Sequence, residues 1–237
     1  MKEITFIIPC AGKGSRLNIP GCKELLPISN GTTLIDEVFS NLKEFKDISQ
    51  IILIISKDKE QLVKYVSKYS DEFNIYFVYQ KTYFSDLSGA INSASEFFSK
   101  KNILILPDII LRDKNLSEKI KKYVEILEKI DCCYLITNSK NYDVLEKVGC
   151  LVINNDNVEG IIDKPSKIEI IQKNLTSYWI SFGFNKNFIN SYNKHFSLMQ
   201  EKNKFNKLEK FPYINIDFAL DLGTWENIKL YYNMLKN

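Results

Sequence analysis

Histidine is almost absent from this chain of 237 residues, whose one copy is His195 in the polar stretch "SYNKHFSLMQ". A histidine-based triad would hang on that residue. A surface helix accounts for it better, so histidine-dependent chemistry is set aside. Cysteine is sparse and unpatterned. The five copies, at 10, 22, 132, 133 and 150, are odd in number and contain no C-x-x-C pair, which favours neither a disulfide framework nor a zinc site. No apolar run reaches the ~18 residues that a membrane span needs. "MKEITFIIPC" has no long apolar core and no small-residue cleavage site, so a secretory signal is not expected and the cytoplasm is the default location. An excess of one charge is missing too. The 32 basic and 29 acidic residues leave a net charge of +3, which argues against nucleic-acid or membrane binding through bulk charge. There is no Pro/Gly/Ser-rich linker and no internal repeat.

Apolar residues are plentiful at 45%, enough for a sizeable core and too many for disorder. β-rich apolar runs recur as "ITFIIP", "QIILIIS", "IYFVYQ", "NILILPD" and "CCYLITN". Between the first four lie the amphipathic stretches "TTLIDEVFSNLKEF", "KEQLVKYVSKY" and "LSGAINSASEFFSK", with apolar residues three and four apart. Strands alternating with helices predict parallel strands joined by crossover helices, an α/β doubly wound layer. The near-continuous apolar strands suit a sheet covered on both faces. After about residue 138 the rhythm weakens. "GCLVINNDNVEGIIDKPS" reads as two strands around a polar turn, "SYWISFGFN" as another strand, and helices are expected over 186–202 and 223–236. The expectation is one domain over 1–237 with two lobes, about 1–138 and about 139–237, the second being α+β.

Four stretches have the residue types for chemistry. In "IIPCAGKGSRLNIPGCKELLPI", Gly12 and Gly14 follow the first strand, so the chain can turn sharply and expose backbone N–H groups to an anion. Lys13, Arg16 and Lys23 would add charge. The segment matches neither the Walker pattern nor G-x-G-x-x-G, since position 17 is Leu; a turn with solvated basic residues explains it as well. In "ILILPDIIL", Asp108 follows a strand end, where open α/β sheets bind ligands, although a lone Asp there also serves as a cap or turn former. In "FALDLGTWENI", Asp221 lies between two leucines and is either a cap or half of a Mg²⁺ site with Asp108, since Mg²⁺ takes one or two carboxylates plus phosphate oxygens. In "VEGIIDKPSK", Lys164 after a strand presents an ammonium to an anion or sits in a charged turn.

Taken in order, "AGKGSRL", "CKELLPI", "LPDIIL", "IDKPSK" and "LDLGTWENI" resemble the sugar-phosphate nucleotidyltransferases, or nucleotide-sugar pyrophosphorylases, over residues 3 to about 230. "LPDIIL" is especially similar to the branch that uridylylates glucose 1-phosphate. The resemblance implies a Rossmann-like (GT-A-like) mixed, mostly parallel sheet flanked by helices, with a small α+β acceptor lobe. It implies that Ala11, Gly12, Lys13 and Gly14 hold the nucleotide, that Arg16 clamps the β,γ-phosphates and that Lys23 neutralises the α-phosphate. Asp108 and Asp221 would hold Mg²⁺. Lys164 would bind the acceptor phosphate, Asp163 the acceptor's body, and Gly183 would let the acceptor approach the backbone. Such a set, without His, Cys or Ser, suits the reaction. The acceptor phosphate is already a nucleophile, and positioning with charge neutralisation supplies most of the catalysis.

Three departures stand out. Arg16 and Lys23 are only seven positions apart, closer than in the family. In "YQKTYFSDLSGAI", Gln80 matches the family's base-pocket Gln, but Asp86 stands where a Gly is usual, ahead of Ser88. Asp86 is well placed to cap the following helix. As a carboxylate at the base edge it would favour CTP or GTP, whose bases present donors, over UTP or dTTP. Glu24 is a second candidate acceptor for the base. Last, the acceptor lobe is short, with only residues 168–176 between "DKPSK" and "SYWISFGFN", which implies a small acceptor: a sugar 1-phosphate, phosphocholine or a phosphorylated amino acid. The leading expectation is a Mg²⁺-dependent transferase of NMP, from CTP by preference, that releases pyrophosphate. The rivals are a UTP/dTTP sugar-1-phosphate pyrophosphorylase and a non-catalytic nucleotide-sugar sensor. Loss of Lys23, Arg16 or either Asp would mark the sensor, and all four are present. The partners are an NTP and a phosphorylated small molecule, with no nucleic acid and no membrane; a homo-oligomer stays open.

Overall fold

The computed structural model describes residues 4–19, 21–29, 31–43, 45, 48–81, 86–188, 191 and 204–235. In chain order the elements begin with β1 (Ile4–Pro9), β2 (Pro27–Ser29), β3 (Thr32–Thr33), α1 (Leu34–Leu42), β4 (Ile48–Ile55), α2 (Glu60–Val66), β5 (Ile75–Tyr79) and α3 (Leu87–Ser93). Next come β6 (Lys101–Ile105), β7 (Ile109–Arg112), α4 (Leu116–Ile126), β8 (Cys132–Asn138), α5 (Tyr142–Leu145), β9 (Gly149–Asn154) and β10 (Asn157–Asp163). The chain continues with α6 (Lys167–Gln172), β11 (Ser177–Asn185), β12 (Asn206–Phe211), β13 (Tyr213–Asn215), β14 (Phe218–Asp221) and α7 (Trp225–Met234). It divides into two compact units, one of residues 1–99, 104–111 and 219–237, the other of 100–103 and 112–218.

The first unit is the expected α/β layer. Strand β1 pairs in parallel with β4, and β4 with β5, in the order β6-β1-β4-β5. Phe6, Ile7 and Ile8 of β1 and Ile51–Ile55 of β4 are buried, as an apolar run covered on both faces should be. Each such side chain contributes roughly 1.5–3 kcal/mol. Strand β5 differs: it ends the order, Tyr76 and Tyr79 are exposed on opposite faces, and none of its five residues is fully buried. Helix α1 begins where its sequence says it should. Thr33 and Asp36 form a capping box, and Leu34, Ile35, Val38, Phe39 and Leu42 make the buried stripe.

The second unit is α+β, but its bounds differ from the expected lobe of about 139–237: it takes in residues 112–138, while 219–237 fall to the first unit. Strands run in the order β12-β10-β9-β11, with β8 beside β11 and β13 beside β8. All the registered pairings are antiparallel except β13 with β8. Of the helix expected over 186–202, Lys186–Phe188 form one 3-10 turn, while most of the rest, including His195, lies outside the described residues. The final helix is shorter than expected, Trp225–Met234, because Thr224 caps it by accepting from the Asn227 N–H. Among the described residues no helix is long and apolar enough to cross a membrane.

Candidate functional site

Strand β1 ends at Pro9, and Cys10 continues it by donating its N–H to the Ile54 carbonyl at 2.7 Å. The chain then turns. Gly14 takes φ +64°, a conformation that side chains disfavour, and its carbonyl accepts the Leu17 N–H at 3.0 Å. Leu17 is buried and anchors the loop, and its carbonyl accepts the Trp225 indole N–H at 2.9 Å. Ala11 is half-buried, Gly12 and Lys13 are exposed, and a Cβ at Gly12 would meet nothing within 4 Å. The backbone at Gly12 is therefore open to an approaching ligand, as a phosphate cradle requires.

The chain returns through a 3-10 turn, Lys23–Leu25. A Cβ at Gly14 would lie 3.2 Å from Lys23 Cβ and 3.3 Å from its Cδ, so the bare glycine makes room for the lysine stem across the loop. Lys23 Nζ then donates to Asp108 Oδ2 at 2.7 Å, with 14% and 11% of the two side chains exposed. Burial works against the charged ammonium, but the Asp108 carboxylate outweighs it and Lys23 is held above its usual range.

Asp108 stands just before β7, and Asp221 ends β14. These short strands pair with each other, and the Leu222 N–H donates to the Asp108 carbonyl at 2.7 Å. Two carboxylates from distant parts of the chain are thereby brought together. Burial first, and the Asp108 charge second, push Asp221 above the usual carboxylate range, against the pull of Arg16, the Gly223 N–H and Lys23. Asp221 Oδ2 accepts from Arg16 Nη1 at 3.4 Å, and Oδ1 accepts the Gly223 N–H at 2.6 Å. At Gly223 a Cβ would come within 2.6 Å of Arg16 Nη2 and 2.7 Å of Asp221 Oδ1. The glycine of "LDLGTW" is there because the ion pair fills its side-chain space. Arg16, Lys23, Asp108 and Asp221, four residues singled out from sequence, thus form one cluster of alternating charge.

For a divalent cation the donor chemistry fits. The cluster offers two hard carboxylate oxygen donors, and a cation would relieve the burial and the Asp108 charge that disfavour the ionised Asp221. Among the described residues no group of three or more His, Cys, Asp or Glu side chains is placed to hold an ion. A cation here would rest on Asp108, Asp221 and oxygens that a ligand brings.

Gln80 follows β5, its N–H donating to the Ile55 carbonyl at 2.9 Å and its Nε2 to the Asp86 carbonyl at 3.3 Å. Asp86 is the N-cap of α3, accepting the Gly89 N–H on Oδ1 at 2.7 Å, so the capping alternative is realised. Ser88 is the half-buried second residue of that helix. Glu24 requires a correction. Its side chain is fully buried and turned inward, with Oε2 accepting from Lys59 Nζ at 2.7 Å, so it offers no edge to a base.

In the second unit Asp163 ends β10, half-buried, and Lys164 follows it, exposed. Lys164 has φ +53°, an uncommon and strained conformation for a long side chain, and its N–H donates to the Val148 carbonyl at 3.0 Å. Gly183 also requires a correction. A Cβ there would come within 2.7 Å of Leu127 Cδ1 and 2.8 Å of Tyr123 Oη, so this buried glycine serves the packing of α4 on β11 and not the approach of a ligand.

Sequence reasoning missed Lys59, Trp225 and Gly223. Lys59 sits in "SKDKEQL", where charge predicts a solvated turn, and its 2% side-chain exposure is a tertiary fact. Gly223 and Trp225 flank Thr224 in a motif already quoted, but only the packing shows what they touch.

Among relatives, a 2-C-methyl-D-erythritol 4-phosphate cytidylyltransferase from Fusobacterium nucleatum is 28% identical over 186 residues, 73% of this chain and 75% of that protein. Solved structures share the fold at low identity. A crystal structure described as a putative glucose-1-phosphate thymidylyltransferase from Bacillus anthracis has a TM-score of 0.75 at 17% identity, covering 99% of this chain and 96% of that one. An apo UDP-glucose pyrophosphorylase has a TM-score of 0.76 at 14% identity, covering 100% and 98%. The family described as nucleotidyl transferase matches residues 6–227, a span that holds the whole charged cluster, and the chain belongs to that family.

Proposed function

We propose that this nucleotidyltransferase moves a nucleoside monophosphate, CMP by preference, from the triphosphate to the phosphate of a small phosphorylated acceptor, with Mg²⁺ and release of pyrophosphate. The observation that carries this reading is the alternation of two cations and two carboxylates, Arg16 with Asp221 and Lys23 with Asp108, beside a glycine turn open at Gly12. An oxygen of the acceptor phosphate, anionic at neutral pH, forms a bond to the α-phosphorus. The bond from that phosphorus to the bridging oxygen breaks, and its electron pair leaves with pyrophosphate. No proton has to be removed, so no general base is needed. Lys23 neutralises the α-phosphate, and the Arg16 fork holds the departing phosphates. The N–H groups around Gly12 and Gly14 fix the nucleotide's position, and Lys164, with Asp163, receives the acceptor. A bound Mg²⁺, held by Asp108 and Asp221, supplies charge neutralisation and alignment of the phosphate oxygens.

Two observations support CTP. The Fusobacterium relative is a cytidylyltransferase. Asp86, whose backbone carbonyl accepts from Gln80 Nε2, also offers a carboxylate; its cap uses Oδ1, and a carboxylate has acceptor capacity for more than one donor. The test is pyrophosphate release across four NTPs and a panel of sugar 1-phosphates and phosphorylated amino compounds with Mg²⁺. CTP should give the highest turnover. Tight selectivity for UTP or dTTP removes the Asp86 argument, and near-wild-type turnover in folded Asp108→Asn and Asp221→Asn variants removes the reaction itself.

A further inference from the structure

Lys59 and Glu24 meet in the interior of the first unit, 2.7 Å apart, with 2% and 0% of their side chains exposed. A buried ion pair is a weak device for stability. The desolvation of both charges is of the same order as their attraction, and apolar residues of similar volume often serve as well or better. This pair is also incompletely satisfied, because Glu24 Oε1 is buried with no hydrogen-bond partner. An arrangement with those costs points to a task other than holding the core together.

The neighbours say which task. Glu24 is the middle residue of the 3-10 turn Lys23–Leu25. Its Oε2 accepts from Lys59 Nζ and also from Cys22 Sγ at 3.2 Å, so one carboxylate oxygen holds both Lys59 and the residue that leads into the turn. Lys59 is itself fixed at the start of α2. Its N–H donates to the Ser56 carbonyl at 3.1 Å, and its carbonyl accepts the N–H groups of Leu62 at 3.0 Å and Val63 at 3.2 Å. A continuous set of contacts therefore runs from the end of the core strand β4, through Lys59 and Glu24, to the backbone of Lys23. With Glu24 held inward, Lys23 leaves the turn towards Asp108.

We propose that Glu24 and Lys59 are a buried positioning pair that aims the Lys23 ammonium at the reacting phosphate. The inference rests on the nucleotidyl-transfer reading, in which Lys23 touches that phosphate; neither member of the pair does so. Removing the pair should change turnover more than nucleotide affinity, because small displacements of a catalytic group cost rate steeply, up to about 100-fold for 1 Å.

The test compares the wild type with Glu24→Gln, Lys59→Met and the apolar double variant Glu24→Leu/Lys59→Met, by thermal unfolding and by pyrophosphate-release kinetics. Each single variant should melt below the wild type, since one change to a buried pair strands its partner. The double variant should recover most of the midpoint and still show kcat reduced roughly 10- to 100-fold, with the KM for the nucleotide changed about threefold or less. A double variant with both the wild-type midpoint and the wild-type kcat overturns the proposal, since the pair would then be structural alone. If the double variant does not fold, the volume-conserving Glu24→Gln decides the matter: unchanged kcat in the folded single variant overturns the proposal equally. The two readings fail separately. No turnover in the wild type counts against nucleotidyl transfer, whereas turnover that survives loss of the pair counts against the pair.

Discussion

Gly14 and Gly31 are a matched pair for testing whether the loop geometry matters to chemistry. Both have positive φ, +64° and +83°, and both would carry the same backbone strain as alanine. A left-handed conformation costs a non-glycine residue about 1–2 kcal/mol, offset in part by the about 0.4–1 kcal/mol that alanine gains through a stiffer unfolded chain. On backbone strain alone each variant should thus lose about 1 kcal/mol, or roughly 2–4 °C in Tm for a chain of this size, with any cost of the Lys23 contact added at Gly14. Their surroundings differ. A Cβ at Gly31 meets nothing within 4 Å, whereas one at Gly14 presses on Lys23 Cβ at 3.2 Å and Cδ at 3.3 Å. The lysine stem must give way by a few tenths of an ångström, which moves an ammonium that now sits 2.7 Å from Asp108. Gly14→Ala should lower kcat roughly tenfold or more, while Gly31→Ala, with the same backbone strain, should keep wild-type turnover. Urea unfolding gives the stability of each and pyrophosphate release the rate. Equal kcat in the two folded variants would refute the claim that Gly14 is glycine on account of Lys23.

Two further outcomes depend on pH and charge. Asp221 is raised above its unfolded value, so its contribution to stability is complete below the unfolded carboxylate pKa of about 3.9 and is lost as pH rises through the folded value. Metal-free Asp221→Asn should therefore melt above the metal-free wild type at neutral pH while losing turnover by about 100-fold or more; a more stable metal-free wild type contradicts this. Burial, and then the nearby Glu24 charge, push the Cys22 thiol up to about 12. Its stabilising contribution is complete below the unfolded thiol value and disappears as pH climbs towards the folded one, so Cys22→Ser should flatten the alkaline decline in Tm, and an unchanged decline tells against it.

What the sequence disclosed follows the range of the forces involved. Strand β1, the glycine turn and the capping of α3 by Asp86 are legible because period, φ requirement and cap chemistry act within a few residues. The grouping of Arg16, Lys23, Asp108 and Asp221 was expected only through resemblance, since nothing local relates residues so far apart. The strands that join the two carboxylates, β7 and β14, are four residues each, too short to show a period. Glu24 and Lys59 were misjudged or missed for one reason: a charged residue reads as solvated until a partner of opposite sign is known to be buried with it. Gly183 was misjudged for the converse reason, because a glycine wanted by a packed tyrosine looks the same in sequence as one wanted by a ligand.

The pairing of β14 with β7 also shapes how the molecule is made. The first unit is assembled from three separated stretches of chain, and its last, residues 219–237, is synthesised after the whole of the second unit. Asp108 emerges from the ribosome early, but the strand that completes its surroundings arrives only with Asp221, across the long interval that makes such contacts slow to form. A chain cut before residue 219 would carry the residues of β1, β4 and the glycine turn and still lack Asp221, one of the cluster's four members. Completion of the cluster is thus set by topology, since it cannot precede the synthesis of Asp221.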